Sequence, residues 1–125
     1  MLKIRREQYE ILKESFREQY VPRQRRRFRR DWTEECAELD DDGLDALLRA
    51  ARDRAELYGL EIEGDVVTFT ETWLLLGDDF DTNPDYPWAP RILRDDQMNG
   101  TAKASALRHW TDKVLGEIAG EGSAS

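Results

Sequence analysis

At 125 residues the chain has the length of one domain, enough for a single hydrophobic core. Its 37% charged residues make it polar, but four Trp, four Tyr and four Phe exclude a disordered polyelectrolyte. The single cysteine, Cys36, excludes an internal disulfide, no run of about 18 apolar residues supplies a membrane span, and MLKIRREQYE has no signal-peptide core, so a cytoplasmic protein without membrane contact is expected.

The net charge of −8 conceals a split: residues 1–30 carry eleven Lys and Arg against four Glu, and residues 31–125 carry eight against 23 Asp and Glu. The basic segment either lies along the acidic remainder of its own fold or meets a partner. Along it, Ile4, Tyr9, Ile11, Leu12, Phe16, Tyr20 and Val21 approximate a helical stripe, which predicts a first helix over about 4–20. Pro22 removes a backbone donor, so a kink or a fresh helix start is expected there, with helix continuing through Arg30. In RQRRRFRRDW only Phe28 and Trp32 anchor an apolar face.

Thr33, followed by Glu34 and Glu35, reads as the cap of a short helix to about Leu39. An Asp40–Gly43 turn leads into the cleanest amphipathic segment, with Leu44, Leu47, Leu48, Ala51, Ala55 and Tyr58 on one stripe and Gly59 as its stop. Arg49, Arg52 and Arg54 fall on the outer faces of that helix, Arg49 within reach of Asp53. DVVTFTETWLLL is ambiguous, since Val, Thr and Phe favour strands, but a lone strand cannot satisfy its backbone and no partner strand is evident. Helix from Asp65 to the stop at Gly77 is therefore expected.

The stretch from Leu74 to Leu93 is the hub of the predicted fold. Pro84, Pro87 and Pro90 stiffen it, and Phe80, Tyr86 and Trp88 alternate with Asp78, Asp79, Asp81 and Asp85, which predicts buried rings and solvated carboxylates. A short helix over Trp88–Arg94 follows. Asn99 caps a last helix with Ala102, Ala106, Leu107, Trp110, Val114, Leu115 and Ile118 inward, ending at Gly120. The expected fold is all-α: one compact domain over 1–119, five to six helices around Trp73, Trp88 and Trp110 with Phe69, Phe80 and Leu47, and a disordered tail over 120–125.

Asp79, Asp81, Asn83 and Asp85 alternate as the oxygen ligands of a calcium loop do, but Pro84 stands where that loop needs Gly and Pro90 where it needs a bidentate Glu. A solvated turn is expected instead, with Asp81 or Asn83 capping local donors. Cys36 and His109 lack an orienting motif, and no glycine-rich phosphate loop exists, so the expectation is a protein that is not an enzyme and takes no cofactor or metal. Arg23–Arg30 offers phosphate neutralisation, but the acidic remainder opposes a polyanion and one ring, Phe28, makes no stacking platform.

From Tyr58 onward the chain resembles a family of small, uncharacterised bacterial proteins encoded beside type VI secretion spike and effector genes. The residues that carry the resemblance are Tyr58, Gly59 and Leu60; Asp65 and Val66; Gly77, Phe80, Asp81, Asn83, Pro84, Pro87, Trp88 and Ala89; then Ile92, Leu93 and Asp95. The opening KIRREQ is also similar. Asn83 stands where the pattern usually has an acid, and Pro22 interrupts a first helix that is commonly continuous. The resemblance implies no catalytic residues and suggests a role with secreted toxins. That role is either an adaptor or chaperone for an effector or spike protein, or an immunity protein against a toxin. The candidate partner-binding residues are Arg23, Arg26, Arg27 and Arg30 on the basic segment and Asp79, Asp81, Asp85 and Tyr86 on the loop.

Overall fold

The computed structural model describes the backbone of residues 6–123 and the side chains within it, other than those of residues 9, 12, 13, 15, 16 and 119–123. Five α-helices and no strand occur among the described residues: α1 (Arg6–Asp31), α2 (Asp41–Leu57), α3 (Glu63–Leu76), α4 (Trp88–Leu93) and α5 (Gly100–Ser123). The all-α class is the one expected. Contacts group the chain into two compact units, residues 1–49 and 50–125, with the boundary inside α2. None of the described helices is long and apolar enough to cross a membrane.

In the first unit α1 is one continuous helix that includes Pro22, so there is no fresh start. Tyr20, Val21, Gln24 and Phe28 form its buried face on both sides of the proline, and this burial offsets the missing donor. The parts of the expected stripe at Ile4, Tyr9, Leu12 and Phe16 fall outside the described residues, and Ile11 is exposed. The short helix expected over Thr33–Leu39 is instead a string of turns. Thr33 caps nothing; its hydroxyl donates back to the Arg29 and Arg30 carbonyls at 2.9 and 3.1 Å. Arg29 in turn donates to the Cys36 and Leu39 carbonyls at 2.7 and 2.6 Å, satisfying acceptors that a continuing helix would have used. Cys36 is fully buried among them.

The cap of α2 is Asp40, whose side chain accepts the Gly43 N–H at 2.7 Å, and Asp41 and Asp42 occupy the first turn where the helix dipole favours them. The helix thus starts within the stretch expected as a turn. Leu44, Leu48, Ala51 and Ala55 are buried, and Leu47 is only half-buried. At its end Gly59 takes φ +86°, and the Gly59 and Leu60 N–H groups donate to Glu56 and Ala55 carbonyls at 3.0 Å each. That is the doubled closure of a Schellman end, with Leu60 and Ala55 both buried.

In the second unit α3 settles the one ambiguous segment as helix. Its alternating threonines mimic a strand, yet Thr68, Thr70 and Thr72 donate to the carbonyls of Gly64, Val66 and Thr68 at 3.1, 2.8 and 3.0 Å. Those hydroxyls are satisfied inside the helix and can be buried with Val66, Val67, Phe69 and Trp73. Gly77 closes α3 at φ +109°, donating to the Trp73 carbonyl. α5 packs along α3 and α4. Asn99 caps it, its side chain accepting the Ala102 N–H at 2.8 Å. The inward residues of α5 are Lys103, Ala104, Leu107 and Thr111, whereas Ile118, expected inside, is exposed. The helix continues past Gly120 to Ser123, where a tail was expected.

Candidate functional site

The arginines of α1 sort into two sets. Arg25 and Arg29, one turn apart, reach two carboxylates that are also one turn apart on α2. Arg25 forms a two-point bond with Asp45 at 2.7 and 2.8 Å, and Arg29 pairs with Asp41 at 3.1 Å. The Arg25 bond is the main reason that the Asp45 carboxyl sits below its usual range. These two arginines are fasteners of the first unit.

Arg23, Arg26, Arg27 and Arg30 fall at helical spacing on a different face of α1. Arg23 is half-buried, and Arg26, Arg27 and Arg30 are exposed. Arg30 meets Asp31 at 2.8 Å and Arg27 meets the same carboxylate at 3.9 Å, both in solvent. The bond from Arg30 holds the Asp31 carboxyl below its usual range. The structure thus brings all four arginine candidates onto one face.

The loop candidates, in the second unit, do not act together. Asp79 and Asp85 are exposed, as expected, but Asp81 is buried with 4% of its surface accessible, against the expectation of a solvated carboxylate. Tyr58 donates its hydroxyl to Asp81 at 2.7 Å, and Arg54 approaches it at 3.3 Å while also donating to the Asp78 carbonyl. The guanidinium of Arg54 lies 4.3 Å from the centre of the Trp73 ring. Arg54 is therefore no outer-face residue. The Tyr58 hydroxyl and the Arg54 guanidinium replace the hydration that burial removes from the Asp81 carboxylate. Burial first, and the bond to Asp81 second, push the Tyr58 hydroxyl up to about 12.

Asn83, not Asp81, makes the local turn, accepting the Asp85 N–H at 2.9 Å. With Asp81 turned inward and Asn83 engaged, the alternating oxygens do not converge, and no group of three or more acidic, His or Cys side chains fit for a metal ion occurs among the described residues. Tyr86 is half-buried, its ring 5.9 Å from that of Trp88, which stacks on Trp110 at 5.9 Å and 11°. Lys113 lies 4.8 Å from the centre of the Trp110 ring.

Sequence reasoning missed Arg54, Arg25 and Arg29 as anchors. The first had no local signal, since its partners lie 24 and 27 residues on. The other two did: the one-turn spacing of Arg25 and Arg29 matches that of Asp41 and Asp45, as two antiparallel helices require. No protein-family model, curated protein or solved structure matches the chain.

Proposed function

We propose that this protein is a non-enzymatic adaptor or chaperone that binds a bacterial secreted effector or secretion spike protein. The observation that carries this role is the separation of the α1 arginines: Arg25 and Arg29 are committed within the first unit, whereas Arg26, Arg27 and Arg30 remain on an exposed face. A solvated row of guanidiniums is suited to steering and holding an oppositely charged protein surface. The class of partner comes from the resemblance of the Tyr58–Asp95 pattern to proteins encoded beside secretion genes. The side chains with nucleophile or base chemistry favour a binding role as well. Cys36 is buried, burial pushes its thiol up, and His109 is exposed against the edge of Trp110.

The test is affinity capture from the native host with the full chain as bait and identification of the recovered proteins. Recovery of a secreted effector or a secretion spike protein is the expected result, and recovery of no secretion component or toxin overturns the role. Exposed Asp78, Asp79 and Asp85 on a loop held by Asp81 favour one second possibility, an immunity protein whose acidic face covers a basic toxin. Co-expression decides it: an adjacent toxin that kills equally with and without this protein excludes inhibition.

A further inference from the structure

We propose that the Arg26, Arg27 and Arg30 face of α1 docks an acidic α-helical segment of the partner protein, and that Asp31 is the intramolecular carboxylate which that segment displaces. The proposal rests on the adaptor role and gives its partner a chemistry. Arginines at 23, 26, 27 and 30 repeat every three or four residues and extend over roughly 10 Å of helix. A partner helix with carboxylates at the same spacing presents them at the same repeat, so several pairs form in one register.

The contacts of this face are of the exchangeable kind. Asp31 is shared by Arg27 and Arg30, and the side chains of Arg27, Arg30 and Asp31 are 49, 74 and 42% accessible. Exposed pairs of this sort are easily traded for another carboxylate. By contrast, Arg25 is bound at two points to an Asp45 side chain only 12% accessible. Arg27 and Arg30 share one carboxylate and exposed Arg26 stands on the same face, so the face carries positive charge for an acidic ligand to neutralise.

The same surroundings favour a protein carboxylate over a nucleic acid. Exposed Glu34, Glu35 and Glu38 begin four residues after Arg30, and exposed Asp40, Asp41 and Asp42 follow. A duplex places a negative charge about every 1.7 Å and continues past any short basic row, so it would meet these carboxylates. A short acidic helix ends with the arginine row and avoids them.

The probe is a labelled alanine-rich peptide with Glu at i, i+3, i+4 and i+7, titrated with the full chain and followed by fluorescence anisotropy at low and moderate salt. The parent is expected to bind it, more weakly as salt rises. R26E/R27E/R30E is expected to lose at least about tenfold in affinity. D31N removes the competing carboxylate and is expected to tighten binding a few-fold, a gain that misfolding cannot produce. R26Q/R27Q/R30Q, with helicity checked by circular dichroism, provides the milder variant should reversal disturb α1. No binding by the parent, or equal binding by the glutamine variant, overturns the proposal. So does equal binding of a peptide with the same charges and two central prolines, or tighter binding of a short DNA duplex. In host capture, equal recovery of the spike or effector by parent and glutamine variant overturns this docking face and leaves the adaptor role standing. Recovery by neither overturns the adaptor role itself.

Discussion

Tyr58 donates a 2.7 Å hydrogen bond to the buried carboxylate of Asp81, fastening the turn after α2 to the proline-rich loop 23 residues later. Arg54 completes the arrangement from one helical turn earlier, so a single carboxylate receives a phenol and a guanidinium. Around it Phe69 lies 5.1 Å from Phe80 and 6.0 Å from Tyr58, ring centre to ring centre. The loop that supplies Phe80 to the core is therefore positioned by the polar contacts of Asp78 and Asp81 and by aromatic ones.

Removing Asp81 is expected to cost more than its lost bond. Asp81→Ala leaves the Tyr58 hydroxyl without its acceptor and Arg54 with the Asp78 carbonyl alone, at a cost of about 1–3 kcal/mol. Asp81→Asn keeps an oxygen for Tyr58 and loses only the charge opposite Arg54, so it is expected to fall between parent and Asp81→Ala. Urea unfolding followed by tryptophan fluorescence orders the three, and an Asp81→Ala midpoint equal to the parent's would refute the fastening.

The Tyr58 hydroxyl gives the second unit an alkaline limit. Its folded pKa of about 12 lies above the ordinary tyrosine value of 10, so the folded state holds the proton more tightly than the unfolded chain. The stabilisation is complete below pH 10 and is lost as pH rises from about 10 to about 12. Tyr58→Phe is expected to flatten that part of the stability profile while lowering stability at neutral pH. A tyrosinate absorbance titration in which all four tyrosines ionise together near pH 10 contradicts it.

On the acid side the sign is opposite. Asp45 is held below the usual carboxylate range, chiefly by the Arg25 bond, so its contribution is present above that range and disappears as pH falls through the depressed folded value. Asp45→Asn is expected to be less stable than the parent at neutral pH and to converge with it in acid. Parallel unfolding curves across the acid range would show that the pair contributes nothing.

The legible parts of the fold were those whose signal is local. Gly59 and Gly77 as helix stops, Asn99 as a cap and the Leu44, Leu48, Ala51 and Ala55 stripe of α2 each depend on residues within one or two turns, and each stands where the sequence placed it. The stretch after Asp31 was misread because Thr33 has the chemistry of an N-cap, and only the bonds from Arg29 to the Cys36 and Leu39 carbonyls show why the chain turns instead. Asp81 was misread for the same kind of reason. An aspartate among Asp78, Asp79 and Asp85 looks solvated until Arg54 of α2 and Tyr58 of the turn after it meet the carboxylate. The arginine face of α1 was legible as a row, but its division into fastened and exposed members required the partners on α2.

Trp88 is the apolar counterpart of Asp81 in fixing the loop. It is buried, stacks on Trp110 and borders Tyr86. Trp88→Ala removes this surface and leaves a cavity, at a cost of about 3–5 kcal/mol. A melting temperature equal to the parent's would place the core elsewhere.

Gly100 and Gly116 of α5 are expected to respond to alanine in opposite directions. At Gly100 an added Cβ would stand 2.6 Å from the Gly59 carbonyl oxygen and 3.1 Å from the Leu60 Cα, both backbone atoms of the closed α2 end. Neither can swing aside as a side-chain tip would, because the Gly59 and Leu60 N–H groups are already bound back to α2 and Lys103 donates to the Tyr58 carbonyl at 2.8 Å. Gly100→Ala must therefore push the start of α5 away from the turn, at about 1–3 kcal/mol. At Gly116 an added Cβ meets nothing within 4 Å, and the residue is exposed inside a helix. There alanine lowers the entropy of the unfolded chain and suits the helix better, so Gly116→Ala is expected to stabilise by about 0.5–1 kcal/mol. Thermal unfolding of the two variants separates the effects, and a Gly100→Ala protein as stable as Gly116→Ala would show that the close approach of α5 to the Gly59 turn is absent in solution.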